Sequence, residues 1–127
     1  MGRNNSLLDN SCSGGLFCGV LSNGILDSIA FDSVGHEYKE HPTSGIIFSG
    51  YKIPSYSECI QLVKSAAPRF SNIAKIIPWD IAITENGEPM IIETNFGWPD
   101  IVDGQITSGP LFGNNGLKDK IIHKFLK

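Results

Sequence analysis

Asp80, Glu93 and Asn95 are two carboxylates and an amide whose placement could do chemistry. Between them lies Asn86-Gly87, flanked by Trp79-Asp80-Ile81-Ala82-Ile83 and by Met90-Ile91-Ile92-Glu93-Thr94. Two apolar runs joined by Asn-Gly are a strong hairpin signal. With a two-residue type I′ loop, Glu85 faces Glu88, Thr84 faces Pro89, Ile83 faces Met90, Ala82 faces Ile91, Ile81 faces Ile92, and Asp80 faces Glu93. Side chains alternate across a strand. Asp80, Ala82 and Thr84 then share a face with Ile91, Glu93 and Asn95, while Trp79, Ile81, Ile83, Met90, Ile92 and Thr94 form an apolar face expected to be core.

Opposed side chains in an antiparallel pair stand about 4.5–5.5 Å apart at Cβ, where like charges repel. A cation between them turns repulsion into coordination. Hard oxygen donors of this kind suit Mg²⁺, which keeps waters and takes further oxygens from phosphates. The same pattern also fits the solvated face of an amphipathic hairpin, and spacing alone leaves both readings open.

The elements that must position these groups follow from the rest of the chain. Its 127 residues, 41% of them hydrophobic, fit one ordinary globular domain with a modest core. A net charge of −3, with no basic cluster, argues against nucleic-acid binding. The three cysteines, Cys12, Cys18 and Cys59, match no zinc spacing and suit a reducing, cytoplasmic setting. No apolar run approaches transmembrane length, and the N-terminus lacks a signal-peptide core.

Residues 1–15 are rich in Asn, Ser and Gly and read as a loop ending in Gly14-Gly15, where the backbone can approach a ligand or simply turn. Leu16–Leu21 and Ile25–Phe31, joined through Ser22-Asn23-Gly24, make a second hairpin that serves as scaffold. His36 and His41 lie in a mixed stretch without the pattern of a zinc site. Ile46-Ile47-Phe48 reads as a short strand. Ser55 and Glu58 form a capping-box pattern opening a helix whose apolar face is Tyr56, Cys59, Ile60, Val63, Ala67 and Phe70, with Pro68 ending or kinking it. Residues 96–110 are broken by Gly and Pro, hold at most a short helix, and leave the strand end that carries Glu93 and Asn95. A C-terminal helix is expected to bring Ile121, Ile122, Phe125 and Leu126 to one side.

Trp79-Asp80-Ile81-Ala82 with Gly87, followed by Met90-Ile91-Ile92-Glu93-Thr94-Asn95, resembles the magnesium-binding end of the ATP-grasp superfamily. Asp9-Asn10 ahead of Gly14-Gly15, and His41-Pro42-Thr43 with Gly45, look like landmarks of its sugar-transfer-associated group. The resemblance implies an α+β fold, an antiparallel sheet with packing helices, like the C-terminal subdomain of ATP-grasp enzymes. It implies Mg²⁺ (or Mn²⁺) and ATP as cofactors, with Asp80, Glu93 and Asn95 as metal ligands. Arg3, Asn10, Gly14 and Gly15 would contact phosphate or acceptor, and Gln105 would face substrate. The implied reaction joins a small carboxylate or sugar-linked substrate to an amine or similar nucleophile through an acyl-phosphate, in the setting of cell-surface polysaccharide synthesis.

The sequence departs from the family in showing no Gly-rich loop followed by Lys and no nucleotide-lysine strand. Residues 1–127 are therefore expected to be the C-terminal part of an ATP-grasp domain, without its upstream nucleotide-binding half and not active as an isolated chain. The alternative is a non-catalytic binding module, or an inactive fragment, that retains the scaffold.

Overall fold

The computed structural model describes residues 14–74, 76–96, 102–110 and 113. The expected C-terminal helix and Cys12 lie outside them. In chain order the elements are β1 (Phe17–Val20), β2 (Leu26–Phe31), β3 (Glu37–Tyr38), α1 (Tyr56–Ala66), a 3₁₀ turn (Ala67–Phe70), β4 (Trp79–Ile83), β5 (Pro89–Thr94) and α2 (Val102–Ser108). Strands β1-β2-β3 form one antiparallel sheet and β4-β5 a second, so the fold is α+β as the sequence implies.

Among the described residues, Leu16, Leu26, Ala30 and Phe48 make the buried core, with Cys18, Tyr38 and Ile53 packed against it. All seven lie before α1, so the first sheet carries the core. Cys59, on the apolar side of α1, is only half-buried, and Ile60 is exposed. The expected strand at Ile46–Phe48 is reduced to a single bridge between Glu40 and Ile47. The reason is that turns closed by Gly45 N–H to His41 O and by Tyr51 N–H to Phe48 O bound the segment on both sides, and Phe48 packs into the core. His41 is buried beside it, edge-on to the Phe48 ring, and its Nδ1 accepts from the backbone N–H groups of Thr43 (3.4 Å) and Ser44 (3.3 Å).

The short strand β3 was not anticipated from the sequence, and one buried carboxylate accounts for it. Asp32 Oδ1 accepts from the N–H groups of Val34 (3.1 Å) and His36 (3.0 Å), while Oδ2 meets His36 Nδ1 (3.0 Å) and the Tyr38 hydroxyl (3.1 Å). These bonds fold the chain back so that Glu37 and Tyr38 pair with Phe31 and Ala30. Burial by itself would raise the Asp32 carboxyl. The donors from His36, Tyr38 and Val34 outweigh it and hold the group well below the usual carboxylate range.

Both Asn-Gly turns differ from the two-residue type I′ loop. In the first, Gly24 N–H donates to Leu21 O and Leu21 N–H to Ile25 O. In the second, Gly87 N–H donates to Thr84 O and Thr84 N–H to Glu88 O. Only the glycines take positive φ, at 81° each, whereas type I′ would need it at the asparagines too. Each is the three-residue hairpin loop in which glycine supplies the left-handed position that closes the turn.

Both turns are fastened to the same short segment ahead of α1. Ile53 N–H donates to Gly24 O (2.9 Å), and the Ser55 hydroxyl donates to Gly87 O (2.5 Å). Ser55 does not cap α1 with its side chain, so the expected capping box is not made. Its hydroxyl is committed to the β4–β5 turn, and its backbone is left-handed at φ 49°. Ser55→Ala removes the bond and keeps the strained backbone, so unfolding in urea should show a loss of about 1 kcal/mol. Ser55→Gly relieves that strain and should be milder, a ranking opposite to ordinary helix propensity.

Candidate metal and phosphate site

The site is built on β4 and β5. Starting from the turn, Ile83 pairs with Pro89, Ala82 with Met90 and Ile81 with Ile91. This is one residue away from the register that a type I′ loop would give. The ladder then slips between Ile81 and Asp80, and Asp80 pairs with Glu93 and Trp79 with Thr94. Ile92 is left without a partner, as the extra residue of a β-bulge. The two one-residue irregularities cancel, so the carboxylates are opposed as the sequence predicts, by a different route.

The apolar assignment near the turn is corrected by the same geometry. Met90 and Ile92, expected in the core, are 50% and 57% exposed. Ile91, expected beside Glu93, is half-buried. The Gly87 turn moved each of these residues to the other face, since a one-residue slip inverts a strand.

Asp80 and Glu93 are both exposed, and neither forms an ion pair among the described residues. Their like charges meet across the ladder, and no cationic side chain of the described residues pairs with either. Asn95, also exposed, follows the end of β5. This donor set fits a hard divalent cation: two carboxylate groups and an amide oxygen, open to water and to phosphate oxygens. Among the described residues no group of three or more His, Cys, Asp and Glu side chains comes together, so nothing there resembles a closed structural metal cage.

The other candidates belong elsewhere in the fold. Gly14 and Gly15 lead directly into Leu16 and β1, with Gly14 left-handed at φ 85° and Gly15 buried. Gln105 is exposed on α2, a helix that packs against β1: a Cβ added to Gly19 would stand 3.1 Å from Thr107 O. Gly14, Gly15 and Gln105 thus surround the first sheet, while Asp80, Glu93 and Asn95 sit on the second. Arg3 and Asn10 lie outside the described residues. No helix among the described residues is long and apolar enough to cross a membrane.

Two residues that shape this region were missed. Ser55 carries the bond that holds the β4–β5 turn, hidden because Ser ahead of a helix reads as a cap. Ile92 sets the final register, and its signal was present in the unbroken run Met90-Ile91-Ile92, where strict alternation already fails.

The chain is thus an α+β arrangement with an opposed pair of carboxylates on one hairpin, and comparison gives its family. The sugar-transfer associated ATP-grasp family matches residues 1–118, and the chain belongs to it. The family is one of ATP-binding, ligase-like domains. Searches of curated proteins and of solved structures found no significant match.

Proposed function

We propose that this chain is the metal- and phosphate-holding, C-terminal part of an ATP-dependent ligase that joins a carboxylate to an amine or similar nucleophile. The observation that carries the reading is the Asp80–Glu93 pair, opposed on adjacent strands without a cationic partner among the described residues. Asp80 and Glu93 would hold Mg²⁺ or Mn²⁺, and Asn95 would complete the protein's share of the ligands. The bound metal supplies charge neutralisation on the phosphates, the main requirement of phosphoryl transfer.

The carboxylates need not move a proton; their task is to keep the metal and phosphates in place. Gly14 and Gly15, with Arg3 and Asn10, are assigned to phosphate or acceptor, and Gln105 to substrate. The family's association with sugar transfer supports a sugar-linked acceptor and a role in cell-surface polysaccharide synthesis, and a cytoplasmic setting belongs to the same reading.

Titration of Mn²⁺ into the full chain with ATP, followed by electron paramagnetic resonance, tests the reading. Asp80→Asn with Glu93→Gln should weaken Mn²⁺ binding by about tenfold or more, the usual scale for losing groups that support a metal. Unchanged binding by the double variant would remove both residues from the metal site.

A further inference from the structure

We infer that the bulge at Ile92 is the device that brings Glu93 to the same side of the hairpin as Asp80. As a statement about the metal ligands, this rests on the function proposed above; as a statement about register it stands alone. The Gly87 turn fixes the first three pairs, and without a bulge the ladder would continue with Asp80 opposite Ile92 and Trp79 opposite Glu93. Glu93 would then share a face with Trp79, Ile81 and Ile83, away from Asp80.

Solvent exposure reports the phase slip independently. From Pro89 to Thr94 the residues run half-buried, exposed, half-buried, exposed, exposed, half-buried. Alternation holds as far as Ile92 and breaks at Glu93, which is exposed where a regular strand would have turned it inward. The extra residue therefore re-aims one carboxylate. Bulges commonly serve this purpose beside functional sites. Ile92 is a positioning residue through its backbone. Its side chain is 57% exposed and is not what the site uses.

The consequence is an asymmetry between the two strands. Because β5 carries one surplus residue, deletion of Ile92 removes the surplus and leaves Asp80 opposite Glu93 in a regular ladder. Deletion of Ala82 from β4 doubles the mismatch and carries Glu93 two positions past Asp80. A hairpin matched residue for residue would be offset equally by either deletion.

In the full chain, nuclear Overhauser contacts between the backbone protons of residues 80 and 93 read the register without any metal, and Mn²⁺ affinity reads the consequence. Deletion of Ile92 should keep the contact and bind Mn²⁺ within about threefold of the parent, whereas deletion of Ala82 should lose the contact and weaken Mn²⁺ binding. A two-residue slip keeps Glu93 on the face of Asp80 but moves it from the opposed to the diagonal position, about 7–8 Å away. Should the Ala82 deletion fail to fold, a pair of single-alanine insertions makes the same comparison. Insertion between Asp80 and Ile81 supplies Ile92 with a partner and keeps the contact; insertion between Ile92 and Glu93 loses it. Loss of the contact on deleting Ile92, or on inserting beside Asp80, would overturn the inference. Absence of Mn²⁺ binding in the parent chain would overturn the metal reading while the backbone contacts still judged the register.

Discussion

Gly24→Ala should lower stability by about 2–5 kcal/mol, a large share of the roughly 5–15 kcal/mol that holds a domain folded. Two costs combine. Gly24 sits at φ 81°, and forcing a Cβ into the left-handed region costs about 1–2 kcal/mol. That Cβ would also stand 2.7 Å from two atoms of the Tyr56 ring and 2.9 Å from its Cβ. Overpacking of this kind adds about 1–3 kcal/mol.

Gly45→Ala separates the two costs, because Gly45 is left-handed at φ 68° with nothing within 4 Å of an added Cβ. It should show the conformational penalty alone. Urea midpoints for both variants give the steric share by difference. Tyr56→Ala introduced together with Gly24→Ala should cost less than the two changes separately, since it removes what the new methyl strikes. Equal losses at Gly24 and Gly45 would mean that Tyr56 yields freely and that the first turn is not tightly seated.

Asp32→Ala should be the most damaging polar substitution among the described residues, and its effect should depend on pH. It removes the acceptor of four hydrogen bonds at a position 5% exposed, and leaves the N–H groups of Val34 and His36 without the oxygen that organises β3. Asp32→Asn should be milder, because the amide oxygen can still serve those two N–H groups.

The sign of the pH dependence follows from the depressed carboxyl. An ordinary Asp titrates near 3.8, and the folded state holds Asp32 below that. Its stabilising contribution is complete above about pH 5 and is lost as pH falls through 4 toward the folded value. Urea unfolding of the parent and of Asp32→Asn should therefore converge between about pH 5 and pH 2, with the parent losing the more. Parallel curves across that range would show that the four bonds do not favour the charged form.

Much of this architecture can be read from residue order. Both hairpins, the helix from Tyr56 and the break near Pro68 follow from local turn, cap and periodicity rules that involve neighbours only. The Asp80–Glu93 pairing was anticipated, yet through a turn type that the chain does not use. Asn-Gly between apolar runs allows two loop geometries that differ by one residue. The residue that restores the balance, Ile92, is far enough from the turn that no local rule couples them. Strand β3 escaped for a related reason: two residues carry no periodicity, and the carboxylate that creates the strand lies five positions earlier. Ser55 misled because its hydroxyl had two acceptable partners, a nearby helix N–H and a carbonyl in the β4–β5 turn. The second is a tertiary contact that spacing cannot reveal.

The shared anchor ahead of α1 also shapes how the chain closes on itself. Gly24 is held by Ile53 and Gly87 by Ser55, so the two turns are tied through successive loops of about thirty residues each, where tying them directly would close roughly sixty at once. The entropic cost of a closure grows only slowly with length, but each shorter loop can form and be stabilised before the next is attempted. With the core gathered around the first hairpin, Ile53 has a formed surface to meet, and its docking brings Ser55 into place to receive the second. The order of assembly is thus expected to follow the order of these two closures, with β4 and β5 docking after the first hairpin.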